Sequence, residues 1–111
     1  MPVRLDRKVK EQTIIIIFKG YEKRKEELER MKAPYELLVA HNYINKAIDE
    51  TLDIQYQQMR LFVPQFKSVM LRDIAECISY GKSDLKSYMS NGTYKKYKKR
   101  IKEEVAKRLY L

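Results

Sequence analysis

The sequence has little of what builds metal sites, disulfide frameworks and turns. Its 111 residues include one cysteine, Cys77, one histidine, His41, three glycines, three prolines and no tryptophan. These counts exclude a disulfide within the chain and a zinc site made from Cys and His ligands. So few glycines and prolines argue against a sandwich or barrel, because such folds need a turn after every short strand. The composition therefore favours an all-α fold.

Long apolar runs and catalytic constellations are also missing. The longest apolar run, Ile14 to Phe18, is far shorter than the ~20 residues of a membrane span, and the charged N-terminus is unlike a signal peptide. The three glycines, Gly20, Gly81 and Gly92, are isolated and form no phosphate-binding loop. The sequence pairs no nucleophile with the lone histidine. We therefore expect a cytoplasmic protein that is not an enzyme, with no cofactor, no catalytic or metal-binding residues and no membrane contact.

Positive charge is abundant and unevenly distributed. The chain has 24 basic and 15 acidic residues, for a net charge of +9. Residues 1–33 carry a net charge of +4, residues 34–66 carry −2, and residues 67–93 carry +1. Residues 93–111 hold eight basic and two acidic side chains, for a net charge of +6. Two basic ends around an acidic middle favour an anionic partner such as nucleic acid.

Residues 1–33 are expected to form a long N-terminal helical arm. Asp6 is a suitable cap for a helix running to about Lys32. The alternative for Ile14 to Phe18 is a strand, because four consecutive β-branched residues favour extended backbone. Helix is preferred since no second strand pattern offers a pairing partner. An exposed apolar face on this arm predicts a homodimer through the N-terminal helix, or a contact with RNA polymerase. That face is formed by Ile14, Ile17, Phe18, Tyr21, Leu28 and Met31.

Residues 34–111 are expected to form a compact helical domain. Apolar spacing and turn residues predict five further helical segments. They are Tyr35 to Leu52, Ile54 to Phe62 capped by Asp53 and interrupted by Pro64, Ser68 to Gly81, Ser83 to Met89, and a terminal helix capped by Thr93. The terminal helix has one apolar stripe, with lysines on its other faces. The stripe consists of Tyr94, Tyr97, Ile101, Val105 and Leu109.

Two segments of this domain together resemble a known family. The first is Leu71-Arg72-Asp73-Ile74-Ala75-Glu76-Cys77-Ile78, and the second, after a turn, is Ser-Asn-Gly-Thr-Tyr-Lys-Lys-Tyr-Lys-Lys-Arg from Ser90 to Arg100. Together they are similar to the ArpU-like phage transcriptional regulators and to region 4 of sigma factors. The resemblance covers about Tyr43 to Leu109. It implies a helix-turn-helix in which residues 70–78 support a reading helix that begins at Thr93. The connection is longer than the family's compact turn, so Ser83 to Met89 is an alternative reading helix.

The resemblance and the basic charge together predict a sequence-specific transcriptional regulator of phage or prophage type that binds double-stranded DNA. A helical adaptor or inhibitor acting on a protein partner, and a phage DNA-packaging or replication accessory protein, are the alternatives. A solvated, lysine-rich terminal helix is the plainest interpretation of the charge. The expected DNA-binding residues are Lys82, Ser83, Lys86, Thr93, Tyr94, Lys95, Lys96, Lys98, Lys99, Arg100 and Lys102.

Overall fold

Five α-helices account for most of the chain in the computed structural model, which describes residues 6–59, 63 and 65–111. The predicted all-α class is confirmed, and Ile14 to Phe18 is helix rather than strand. No helix in these ranges combines the length and apolar character that crossing a bilayer requires. The helices are α1 Arg7–Lys19, α2 Tyr21–Arg30, α3 Tyr35–Met59, α4 Phe66–Ala75 and α5 Asn91–Arg108, with 3₁₀ turns at Tyr80–Lys82 and Asp84–Ser87.

The N-terminal segment is two helices, so the prediction of one helix from Asp6 to Lys32 is wrong. Asp6 does cap α1, because its carboxylate accepts a hydrogen bond from the backbone N–H of Lys8 at 2.8 Å. The chain bends at Gly20, where the Arg24 guanidinium occupies the space that a Cβ would need. Arg24 donates hydrogen bonds to the Ile17 carbonyl and, at 2.7 Å, to Asn45. A side chain therefore fills the bend and fixes α2 against α3.

The apolar face of α1 packs inside the domain and is not exposed on an arm. Ile14 and Phe18 lie in the same core as the apolar residues of α3, α4 and α5, and Tyr21 of α2 joins them. The predicted boundary at residues 33 and 34 therefore does not separate two packing units. Of the six residues expected to pair with a second copy, Ile14, Phe18 and Tyr21 are buried by the chain itself, Ile17 and Leu28 are half-buried, and Met31 is exposed.

α3 is one continuous helix, where the sequence predicted two. Asp53 lies within it and does not act as a cap; its carboxylate accepts a hydrogen bond from Lys67 at 2.9 Å. The first half of α3 packs on α2, and the second half contributes Ile48 and Leu52 to the core. The predicted segment beyond residue 59 and the interruption at Pro64 lie outside the described residues.

The boundaries of the last two α-helices differ from prediction. α4 begins at Phe66 and ends at Ala75, well before Gly81, because the backbone turns at Cys77 with φ of 54°. The segment from Ser83 to Met89 contains a short 3₁₀ turn and does not form an α-helix. α5 begins two residues before Thr93, and Ser90 is its cap.

Candidate nucleic-acid interface

One face of α5 is buried along its whole length, as its apolar stripe predicts. Tyr94, Ile101 and Val105 are buried, and Tyr97 and Leu109 pack against the core from its edge. The Tyr97 ring meets Phe66 of α4 edge-on, with 5.7 Å between ring centroids. This packing fixes which lysines of α5 point inward and which point to solvent.

A buried polar cluster anchors the first turn of α5. The Tyr94 hydroxyl donates to Asp73 Oδ2 at 2.8 Å, and the Ser83 hydroxyl donates to the same oxygen. Ser83 Oγ also accepts from the backbone N–H of Leu85 at 3.1 Å. Burial, followed by the hydrogen bond to Asp73, raises the pKa of Tyr94. The cluster therefore joins α4, the 3₁₀ segment and α5.

Two predicted DNA contacts belong to this cluster, which corrects their assignment. Tyr94 and Ser83 are buried, and both hydroxyls are directed at Asp73. Neither hydroxyl is available to a phosphate in this fold. Thr93 is half-buried and takes part in the cap, where its backbone N–H and side chain both contact Ser90 Oγ.

Lys98 also points inward. Its Nζ donates to the Ile78 carbonyl at 2.6 Å and to the Tyr94 hydroxyl at 3.3 Å. Burial lowers the pKa of Lys98. Lys102 is similarly occupied, because its Nζ lies 3.0 Å from Glu11 of α1 and lowers the pKa of that carboxylate. Lys98 and Lys102 thus hold the fold together. Because both amines already contact protein groups, they are less able to bind an external anion than the sequence predicted.

Four predicted site residues are exposed and carry uncompensated charge. Lys82 and Lys86 lie in the 3₁₀ segment, and Lys95 and Lys96 lie in the first turns of α5. None of the four has a carboxylate within 4.0 Å in the described part of the chain, although Asp84 sits between the first two. Asp84 is instead paired with Arg72, whose Nη2 lies 3.1 Å from it. Because both 3₁₀ turns pack against α5, these four lysines together form the basic surface at the start of α5.

Lys99 and Arg100 continue this surface with weaker partners. Lys99 Nζ is 4.0 Å from Glu103, and both side chains are exposed, so this pair contributes little. The Arg100 guanidinium lies 5.9 Å from the centre of the Tyr97 ring, at a distance that suits a cation–π contact. Both residues keep their positive charge on the flank of α5.

The dipole of α5 adds to this charge. The N-terminal end of a helix carries partial positive charge, so acidic side chains stabilise the first turn and basic ones oppose it. The first turn of α5 contains no acidic residue, and Lys95 and Lys96 follow directly. This arrangement is unfavourable for an isolated helix, but it is favourable for holding an anion near the same end.

α4 and α5 are not joined as in a compact helix-turn-helix. Residues 76–90 connect α4 to α5 and contain both 3₁₀ turns, whereas the turn of that motif has three or four residues. The Asp73 cluster supplies the tie between the two helices. Sequence reasoning missed Asp73, although its spacing offered a signal: it shares the buried face of α4 with Phe66, Met70 and Ile74.

In the described ranges, no three Asp, Glu, His or Cys side chains lie close enough together to hold a metal ion. Comparison with known proteins gave no match among family models, curated proteins or solved structures.

Proposed function

We propose that this protein binds double-stranded DNA through the basic surface at the start of α5 and acts as a transcriptional regulator of phage or prophage type. The observation that carries the proposal is the uncompensated charge of four exposed lysines, Lys82, Lys86, Lys95 and Lys96. Between residues 82 and 102 the chain has eight basic residues and one acidic residue. Asp84, the acidic one, is paired with Arg72.

Phosphate contacts account for most of the affinity that such a surface provides. Lysines that neutralise phosphates release condensed counterions, so binding weakens as salt rises. Base edges must be read by side chains that reach a groove, and α5 presents Lys95, Lys96 and Lys99 on its outer side for that purpose. The 3₁₀ segment adds Lys82 and Lys86 as backbone contacts. The regulatory role rests on the resemblance to ArpU-like proteins, and the DNA contact rests on the charge.

The proposal is tested by the salt dependence of binding to a short duplex, measured by fluorescence anisotropy between roughly 50 and 200 mM salt. A triple variant, K95A/K96A/K99A, is expected to bind more weakly and to flatten the slope by about 2.7, which is three times the ~0.9 per phosphate. The matched control is K23A/K25A/K32A, which removes three exposed lysines on and next to α2. The control is expected to bind like the natural chain.

A second variant separates the contribution of the 3₁₀ segment. K82A/K86A leaves α5 unchanged and is expected to reduce the slope by about 1.8, for two phosphates. If K82A/K86A lost sequence preference while K95A/K96A/K99A kept it, the 3₁₀ segment and not α5 would be the element that reads the bases. A chain that retards no duplex even at low salt would contradict DNA binding altogether.

A protein-binding adaptor is the second candidate function, favoured by apolar side chains exposed on the first half of α3. Tyr35, Val39 and Tyr43 lie there, remote in sequence from the basic surface. An adaptor would bind its partner with no dependence on the lysines of α5. Once a protein partner is captured, its affinity for the K95A/K96A/K99A variant distinguishes the two functions, because an adaptor would bind this variant as tightly as the natural chain.

A further inference from the structure

The first half of α3 has one exposed apolar stripe. Tyr35 is 75% exposed, Val39 52% and Tyr43 51%, and they follow one another at intervals of four residues. The opposite side of this segment packs on α2, where His41 Nε2 lies 2.8 Å from Glu27 and Leu38 is buried. The stripe is therefore the outer face of a helical hairpin, and the described part of the chain leaves it uncovered.

Two charged residues lie on this outer face beside the stripe. Glu36 and Lys46 are both exposed. In sequence order, the successive intervals in the set Glu36, Val39, Tyr43 and Lys46 are three, four and three residues. This is the alternating spacing of the inward-facing positions of a coiled coil. Glu36 has no ion pair in the described ranges, and Lys46 reaches only Glu50, at 3.9 Å.

The order of these four residues is complementary to itself. In an antiparallel pair of α3 helices that cross at residue 41, Val39 faces Tyr43 of the second copy, and Glu36 faces Lys46 of the second copy. A two-fold axis repeats both contacts, as a closed symmetric dimer requires. A parallel pair would place Glu36 against Glu36 and Lys46 against Lys46, so charge selects the antiparallel arrangement.

We propose that two copies of this chain associate through an antiparallel α3–α3 contact with this seam. The Tyr43 hydroxyl donates to the Arg108 carbonyl at 3.0 Å, so its ring is already held in position before a second copy arrives. The seam spans only about three helical turns. The interface therefore belongs to the small, reversible class, and the dimer forms only at high concentration.

This contact replaces the one that the sequence suggested. A dimer through the N-terminal helix depended on an exposed face containing Ile14 and Phe18, which the core covers. The α3 seam depends on residues that the fold leaves at the surface. It is independent of the DNA-binding proposal, and its test uses no DNA.

Sedimentation equilibrium of the full chain, from about 10 µM to 1 mM, tests the seam directly. E36K and K46E each place like charges together in a homodimer and are expected to weaken self-association at least tenfold. An equimolar mixture of the two restores both opposite-charge contacts, so it is expected to recover association that neither variant shows alone. Circular dichroism melts check that each variant folds.

Two further variants control for general surface effects. V39E places a charge in the seam and is expected to abolish association. I16E places the same charge on an apolar residue of α1 that is 67% exposed, and it is expected to associate like the natural chain. A natural chain that stays monomeric throughout the range, or a mixture of E36K and K46E that does not recover, overturns the proposal. The stripe would then belong to a different protein partner.

Discussion

α2 and α5 are anchored in the same way but carry different charge. Each has a buried tyrosine near its start: Tyr21 donates to Asp49 at 2.6 Å, and Tyr94 donates to Asp73 at 2.8 Å. α2 then has four glutamates and four basic residues. The first ten residues of α5 have five basic residues and no acidic one. Similar anchoring therefore supports a charge-balanced helix and a strongly basic one, so this anchoring does not by itself require the exposed lysines of α5.

The two helices also differ in how deeply they are packed. The buried residues of α5 include Ile101 and Val105 in the core, whereas Tyr21 is the buried residue of α2. Leu28 of α2 is only half-buried, against α3. The more basic helix is thus the more firmly embedded of the two.

The largest expected effect tests this difference in packing. Ile101→Ala removes a fully buried side chain and is expected to lower the free energy of unfolding by about 2–5 kcal/mol. Leu28→Ala removes a half-buried one and is expected to cost roughly 1 kcal/mol. Urea denaturation of both variants measures the gap. Equal losses would mean that α2 is as essential to the core as α5.

The sequence predicted the helical class and the stripe of α5 because apolar spacing reports directly on burial. It predicted too long a first helix, since Gly20 is compatible with helix on spacing alone. The reason for the bend is a contact between Arg24 and groups at Ile17 and Asn45. The division at Asp53 failed for the opposite reason: a good capping residue lies within α3, where Lys67 binds it instead.

The next largest loss of stability is expected from removing the anchoring hydroxyls of Tyr94 and Tyr21. Tyr94→Phe leaves the fully buried carboxylate of Asp73 with one donor fewer, and it is expected to cost about 1–3 kcal/mol. Tyr21→Phe affects Asp49, whose side chain is 38% exposed and lies 3.7 Å from Lys67. Water and Lys67 can replace the lost donor, so a loss of about 0.5–1 kcal/mol is expected. Thermal denaturation of the two variants should preserve this order, and the reverse order would show that the Asp73 cluster is not the stronger anchor.

Alkaline pH provides a smaller test of the same pair. Burial, followed by a hydrogen bond to aspartate, raises the pKa of both Tyr21 and Tyr94 above the usual value of about 10. Above pH 10 the unfolded chain releases these protons while the folded chain keeps them. The unfolded state then binds fewer protons, so the free energy of unfolding falls as pH rises.

This fall is expected to be smaller in the Y21F/Y94F double variant than in the natural chain. Urea denaturation at pH 9 and pH 10.5 measures it in both proteins. The lysines titrate in both chains, so subtracting one pH difference from the other isolates the tyrosines. An equal fall would mean that the two hydroxyls ionise as readily in the folded chain as in the unfolded one.

Composition indicated where the candidate site lies, but it did not reveal which side chains reach solvent. Lys95 and Lys98 look alike in the sequence. Their positions on the helix differ, and only Lys98 reaches the Ile78 carbonyl. That carbonyl follows the turn at Cys77, whose left-handed backbone was not predicted. Tyr94 was expected both in the apolar stripe and at the DNA surface; its burial decides between the two.

The smallest expected effect comes from changing one lysine to glutamate, which should stabilise the protein when made in α5 and destabilise it when made in α2. Lys95→Glu places a carboxylate in the second turn of α5, four residues before Lys99. This opposite-charge pair is favourable, so the variant is expected to be more stable by about 0.2–0.5 kcal/mol. Lys25→Glu in α2 places a carboxylate four residues before Glu29, and it is expected to cost a few tenths of a kcal/mol.

DNA affinity should change in the opposite way to stability. Lys95→Glu is expected to weaken duplex binding while raising the melting temperature, because the same lysine repels Lys99 and attracts phosphate. Lys25→Glu should leave binding unchanged. A Lys95→Glu protein that melts lower would mean that Lys95 stabilises the fold. One that melts higher yet binds DNA equally well would mean that the charge at this end of α5 is not used for DNA.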